Sequence, residues 1–255
     1  MPVAHPTSSE TSTVTRPRIG LPLIVLFVLT ITAQLVGLAF GRVHMEQGFA
    51  SLILPSVLAL SVITLPALWI GLALGPSVGL GAPLIAGESD IRKRLGRDVL
   101  LAGVLGVALG GLLIVIRHLS APYLPPDTPV YGHRGFVGGL AVSFGAAVAE
   151  EVWFRLGLMT LLVWGAARIF SNRSPRPAIV WTVILVCAIA FGMAHLPQLI
   201  SYGAGSPFAI SGTVAGNTAV GILYGWCYWK RSLIAAMVAH FSVDIVIHAL
   251  PALWL

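Results

Sequence analysis

Long apolar runs separated by short polar or proline-rich breaks dominate the chain. Residues 21–40 form the first run, and residues 49–74 form a second that contains Pro55 and Pro66. A third, 99–116, follows the basic cluster Arg92, Lys93, Arg94 and Arg97. Beyond a proline-rich loop at 120–131, a fourth run begins near Gly135 and extends to about Trp164. The fifth covers 178–195 and is ended by Pro197, the sixth covers 209–229, and the seventh starts at Leu233. Runs of this size approach the roughly 20 residues that a helix needs to cross a bilayer. The pattern predicts an all-α, polytopic transmembrane helical bundle of about seven spans, or eight if residues 74–91 add a short or re-entrant segment. Residues 1–19, rich in Ser, Thr and Pro, are expected to be a disordered tail. Residues 20–134 then hold N-terminal transmembrane helices with no assigned role, and residues 135–255 a core that carries the chemistry.

Composition agrees. Apolar types make up 57% of the 255 residues and charged types 9%, against about 25% charged in soluble domains. That excludes a soluble enzyme and a disordered chain. The net charge of +6 follows from how loops are oriented rather than from nucleic-acid binding, since no basic stretch is interleaved with stacking aromatics. If the N-terminus is cytoplasmic, eleven Lys and Arg fall on that side: the pair at 16 and 18, four at 92–97, three at 168–176, and Lys230 with Arg231. Three fall opposite, Arg42, Arg117 and Arg134. The asymmetry predicts an integral membrane protein with its N-terminus in the cytoplasm, and the compact, cysteine-poor chain fits a prokaryotic plasma membrane. Cys187 and Cys227 lie in apolar runs and read as small buried side chains. The spacings Gly106/Gly110 and Gly221/Gly225 predict close helix packing.

Ionisable residues inside the runs carry the functional signal. Glu150, Glu151, Arg155, His195, His240 and Asp244 all fall there. An ionised side chain near mid-membrane costs roughly 2.5–3.5 kcal/mol on the insertion scale, so an unpaired set would be prohibitive. Glu151 and Arg155 stand four apart and can pair along a helix. Glu150 is rotated about 100° from Glu151 and faces elsewhere. Phe191 and His195 share one helix face, and His240, Asp244 and His248 form a stripe along the last run.

Three segments in order resemble the CPBP family of intramembrane proteases, which includes the type II CAAX prenyl endopeptidases and bacteriocin-processing or immunity proteins. They are Glu150-Glu151-Val152-Trp153-Phe154-Arg155, Phe191 through His195, and His240-Phe241-Ser242-Val243-Asp244. Leu156 departs from the glycine that many relatives carry after the arginine. The resemblance implies peptide-bond hydrolysis within the bilayer, on a membrane-associated protein or peptide substrate. Glu150, His195, His240 and Asp244 are then the candidate catalytic residues, with Glu151, Arg155 and Phe191 in support.

The chemistry follows from the residue types. Hydrolysis needs an activated water, a stabilised oxyanion and a proton for the leaving amine. Burial makes a carboxylate a better base near neutral pH. Glu150, with His195, is expected to polarise the water, while His240 and Asp244 orient the carbonyl. Two reactions use the same residues. His195, His240 and Glu150 are of the types that hold zinc with one position left for water, and a metal-free glutamate mechanism needs no further group. Competing readings are a proton-coupled transporter, a non-catalytic immunity or partner protein, and a serine protease built on Ser211. Depth poses a condition: His195 lies some 17 residues into the fifth run, about 25 Å along a helix. It meets Glu150 only if the helices are offset.

Overall fold

The computed structural model describes residues 19–41, 49–82, 89–170 and 175–254. The expected tail at 1–19 lies, apart from Ile19, outside them. Among the described residues there is no strand, and the helices stack into seven columns. The first three are α1 (Gly20–Gly41), α2 (Phe49–Leu74) and α3 (Ser89–Ser120). The fourth is continuous: α4 (Gly135–Glu150), a π-helical segment Glu151–Met159, and α5 (Thr160–Ile169). The fifth is α6 (Pro177–Ala194), followed by the short α7 (Leu196–Ser201); the sixth is α8 (Pro207–Lys230). The seventh is α9 (Leu233–Asp244), which runs into a second π-helical segment, Ile245–Ala249, and a 3₁₀ turn, Leu250–Leu253. Between α2 and α3 the chain makes a 3₁₀ turn, Gly75–Val78, and Leu80 and Ala82 tuck into the core; no eighth span occurs in the described part of this stretch.

Local chemistry sets the helix starts. Pro177 and Pro207 open α6 and α8, where a missing N–H costs nothing. Ser206 accepts from the Ala209 N–H (3.2 Å) and Ser232 from the Ala235 N–H (3.1 Å), which caps α8 and α9.

Small residues hold the columns together. Lipid gives helices no hydrophobic reason to associate, so backbones must come close enough for dispersion contacts. A methyl at Gly106 would meet the Ala239 carbonyl at 2.5 Å, and one at Gly110 the Val246 side chain at 2.9 Å, so α3 lies directly on α9. Gly221 and Gly225 seat α8 against Ala188 and Ile184 of α6. Both predicted glycine pairs thus serve close packing. Gly145 lies on Ala33 of α1. The first three helices therefore wrap the last four columns and share their core.

Among the described residues, five helices are long and apolar enough to cross a membrane: those at Gly20–Phe40, Phe49–Val78, Lys93–Tyr123, Pro177–Ser201 and Leu233–Leu253. The other two columns carry the polar load. The fourth contains Glu150, Glu151 and Arg155, and α8 contains Thr213, Asn217 and Thr218. Broad apolar faces elsewhere, such as Leu54, Leu58 and Val62 on α2 and Leu100, Val104 and Val107 on α3, are exposed, as a lipid-facing surface requires.

Candidate active site

The π-helical segment begins at Glu151, the first residue after α4. An i→i+5 turn widens the helix and leaves a carbonyl in need of donors, and such bulges concentrate at functional sites. Here the Arg155 carbonyl accepts from the Thr160 N–H and, at 3.3 Å, from the Thr160 hydroxyl. The Thr160 hydroxyl lies 2.7 Å from that of Tyr228, which accepts from the Gly81 N–H at 2.9 Å. Since Thr160 spends its only proton on Arg155, Tyr228 must donate to Thr160. One ordered chain of bonds thereby ties the turn after α2 to the base of the site.

Arg155 is fully buried and forms the expected pair with Glu151 at 3.1 Å. A second bond runs from its guanidinium to the Gly221 carbonyl of α8 (3.0 Å). The rings of Phe191 and Tyr224 flank it, 4.7 and 5.1 Å from the guanidinium carbon. Delocalised charge against aromatic faces suits arginine in particular.

Glu151 also does something its spacing could not reveal. Its Oε1 lies 2.8 Å from His240 Nδ1 on α9, 89 residues away in sequence. A carboxylate can only accept, so Nδ1 carries a proton, and Nε2 faces the other two carboxylates. Those distances are 3.8 Å to Glu150 Oε2 and 3.5 Å to Asp244 Oδ2. Glu150 Oε2 is buried and has no hydrogen-bond partner among the described residues.

These groups border one cavity of about 530 Å³. Glu150, Phe191, His195, His240 and Asp244 all line it, while Glu151 and Arg155 lie beneath. His195 sits apart from the carboxylates: its Nδ1 donates to the Phe191 carbonyl (2.8 Å), and its ring packs on the Phe191 ring at 4.8 Å. Glu150 and His195 nonetheless line the same cavity. Helix α6 stops at Ala194, and α7 and the loop to Pro207 continue beside the cavity, so the Phe191 ring reaches within 5.8 Å of His240. Ser211 is exposed on α8 and does not border the cavity, though Gly212 and Thr213 do.

Sequence reasoning missed Tyr224. Its ring stacks on His240 with 4.4 Å between centroids and 14° between planes, and its buried hydroxyl has no partner among the described residues. Nothing in its surroundings in the chain separates it from Tyr228 one turn on; only the fold does. Leu156, the departure from the family pattern, is buried against Gly71 of α2, where the missing side chain makes room for it.

The zinc expectation turns on the same imidazoles. Among the described residues no three His, Cys, Asp or Glu side chains converge as a metal-holding group. His240 Nδ1 is held by Glu151 and His195 Nδ1 by the backbone, which leaves both Nε2 atoms free, an arrangement that suits a ligating histidine and a metal-free proton donor alike.

Residues 133–246 match the family model described as type II CAAX prenyl endopeptidase Rce1-like. The match bears out the resemblance read from the three motifs. The Rce1-like segment, a little under half of the chain, contains every group at the closed end of the cavity. No curated protein and no solved structure matches the chain.

Proposed function

We propose that the protein is an intramembrane endopeptidase in which Glu150 activates water without a metal. The observation that carries this reading is the unpartnered, buried Glu150 oxygen at the closed end of a cavity, facing an imidazole that is itself held by a second carboxylate. The Rce1-like match supports proteolysis as the class of reaction.

Glu150 takes a proton from water as the water oxygen attacks the scissile carbonyl carbon. His240, doubly protonated and anchored through Nδ1 by Glu151, donates from Nε2 to the developing oxyanion. Asp244 keeps that face of the ring oriented, and His195 holds the water from the mouth side. Collapse of the tetrahedral species breaks the C–N bond, and Glu150 returns its proton to the leaving amine. Donors aimed at the oxyanion in a dry site act more strongly than they would in water. Tyr224 holds the imidazole flat, so its Nε2 cannot swing away from the carbonyl.

The test is cleavage by the purified protein, reconstituted in lipid vesicles, of a membrane-anchored peptide library. Glu150→Gln should lower the rate about 10²–10⁴-fold, the usual worth of general acid–base catalysis, with unchanged thermal unfolding. Asp244→Asn should keep most activity, because an amide can still orient the ring, and chelators should leave the rate unchanged. Full activity in Glu150→Gln removes the assignment.

A further inference from the structure

The face from which the cavity is entered can be read from its walls. Its rim is built from the end of α3, the 121–134 loop, α7 and the first turns of α8. Cross-contacts place these elements together: Arg134 donates to the Tyr202 hydroxyl (3.1 Å), Tyr123 packs on Phe208 (5.6 Å), and Tyr131 on His248 (6.4 Å). At the other end of the bundle, Arg231 pairs with Asp98 at 3.0 Å, and Trp181 packs on Trp229 at 5.9 Å. Aromatic side chains thus mark both ends, as they do at the two interfaces of a bilayer.

Between the ends, the site is closed toward the second of them. Beneath Glu150 and His240 lie Glu151, Arg155, Leu156, Met159 and Cys227, all with essentially no exposure. A substrate coming from that direction would have to break the Glu151–Arg155 pair and pass the aromatic rings that clasp it. None of those five residues borders the cavity, whose floor on this side is formed by the Phe191 and Tyr224 rings.

Charge then assigns the two ends. Among the described residues, Lys93, Arg94, Arg97, Arg168, Arg176, Lys230 and Arg231 stand at the sealed end. Of the described Lys and Arg, Arg117 and Arg134 alone stand at the open end. Loops rich in Lys and Arg remain in the cytoplasm.

We infer that the cavity opens to the extracytoplasmic side, and that the substrate is a membrane-anchored polypeptide whose cleavable segment enters the bilayer from that side. This rests on the protease reading for the word substrate, but the direction of opening does not. A lipid-anchored tail confined to the cytoplasmic leaflet meets the sealed end and is not cut.

Two measurements separate these claims. The first is cysteine labelling with a membrane-impermeant maleimide in intact bacterial cells expressing the full chain, with the unmodified protein, whose two cysteines are buried, as background. Ala121→Cys on the rim and Gly212→Cys inside the cavity should react in intact cells, and Gly96→Cys at the basic end only after permeabilisation. At Gly96 and Gly212 a new side chain meets open space, so folding is spared. Reaction of Gly96→Cys alone in intact cells overturns the inference, whatever the protein's activity. The second uses single-span reporters with a randomised segment next to the membrane, displayed on the outer or the inner face. Cleavage confined to the outer display, and lost in Glu150→Gln, is the expected result; cleavage confined to the inner display overturns the inference. If neither display is cut while labelling follows the expected pattern, the protease reading fails and the direction of opening stands.

Discussion

Arg155 is where the chain accepts its greatest local risk. A guanidinium with no exposed surface is tolerable only because Glu151, the Gly221 carbonyl and two aromatic faces surround it. Removing one member of a buried pair leaves the other uncompensated, which typically costs about 3–5 kcal/mol. Arg155→Leu should therefore lower the unfolding free energy by about that amount, read from thermal or denaturant unfolding in detergent. Adding Glu151→Gln to the same chain should recover part of the loss, because the stranded charge disappears. If the double variant is as unstable as the sum of the two single ones, Glu151 and Arg155 are not coupled as the 3.1 Å contact implies. This pair was legible in the sequence, since i, i+4 spacing is local. The bond from Glu151 to His240 was not, because it depends on how two distant columns meet.

Helices position these groups through their contact faces, and the α3–α9 contact is exposed to a single change. The carbonyl of Ala239, immediately before His240, lies 2.5 Å from where a methyl on Gly106 would stand. Gly106→Ala must push α9 outward and carry His240 away from Glu151 and Glu150. Overpacking of this kind costs about 1–3 kcal/mol, and a displacement of about 1 Å at reacting groups can cost about 100-fold in rate. The turnover rate should fall far more than stability. Gly111→Ala, at a position with open space around it, should leave activity intact; equal losses in the two variants would show that helix propensity, not packing, is at stake. The glycine spacing was visible in the sequence, as were the seven columns, because apolar runs and Gly-xxx-Gly patterns are properties of one segment. The two π-helical segments were not. A run such as Glu151–Met159 has the same apolar positions whether its bonds close at i+4 or i+5, and what supports the wider turn is tertiary: the chain of bonds from the Gly81 N–H through Tyr228 and Thr160 to the Arg155 carbonyl. The early end of α6 was half legible, since Pro197 announced a break but not that α7 would line the cavity.

At the scale of the whole molecule, the Rce1-like segment holds the candidate catalytic groups but not their enclosure. Leu113, Ile116 and Arg117 of α3 line the cavity, Gly71 and Thr64 of α2 hold Leu156 and Trp153 of the π-helical segment, and α1 covers the glycine face of α4. In a bilayer, a lost neighbour is replaced by acyl chains, which cannot satisfy polar groups that a missing helix leaves uncovered. Trp153 Nε1, bonded to Thr64 at 3.0 Å, would lose its partner, and the wall beside His240 and Asp244 would open to lipid. Residues 133–255 expressed alone should therefore be inactive and sensitive to added protease. Supplying residues 1–132 as a separate chain should restore both a protected core and cleavage, because the break falls in the loop between α3 and α4 rather than inside a helix. Protease resistance and activity of the segment without its N-terminal partner would mean that the first three helices are dispensable to the site, and that the cavity's α3 wall does not contribute to enclosing substrate.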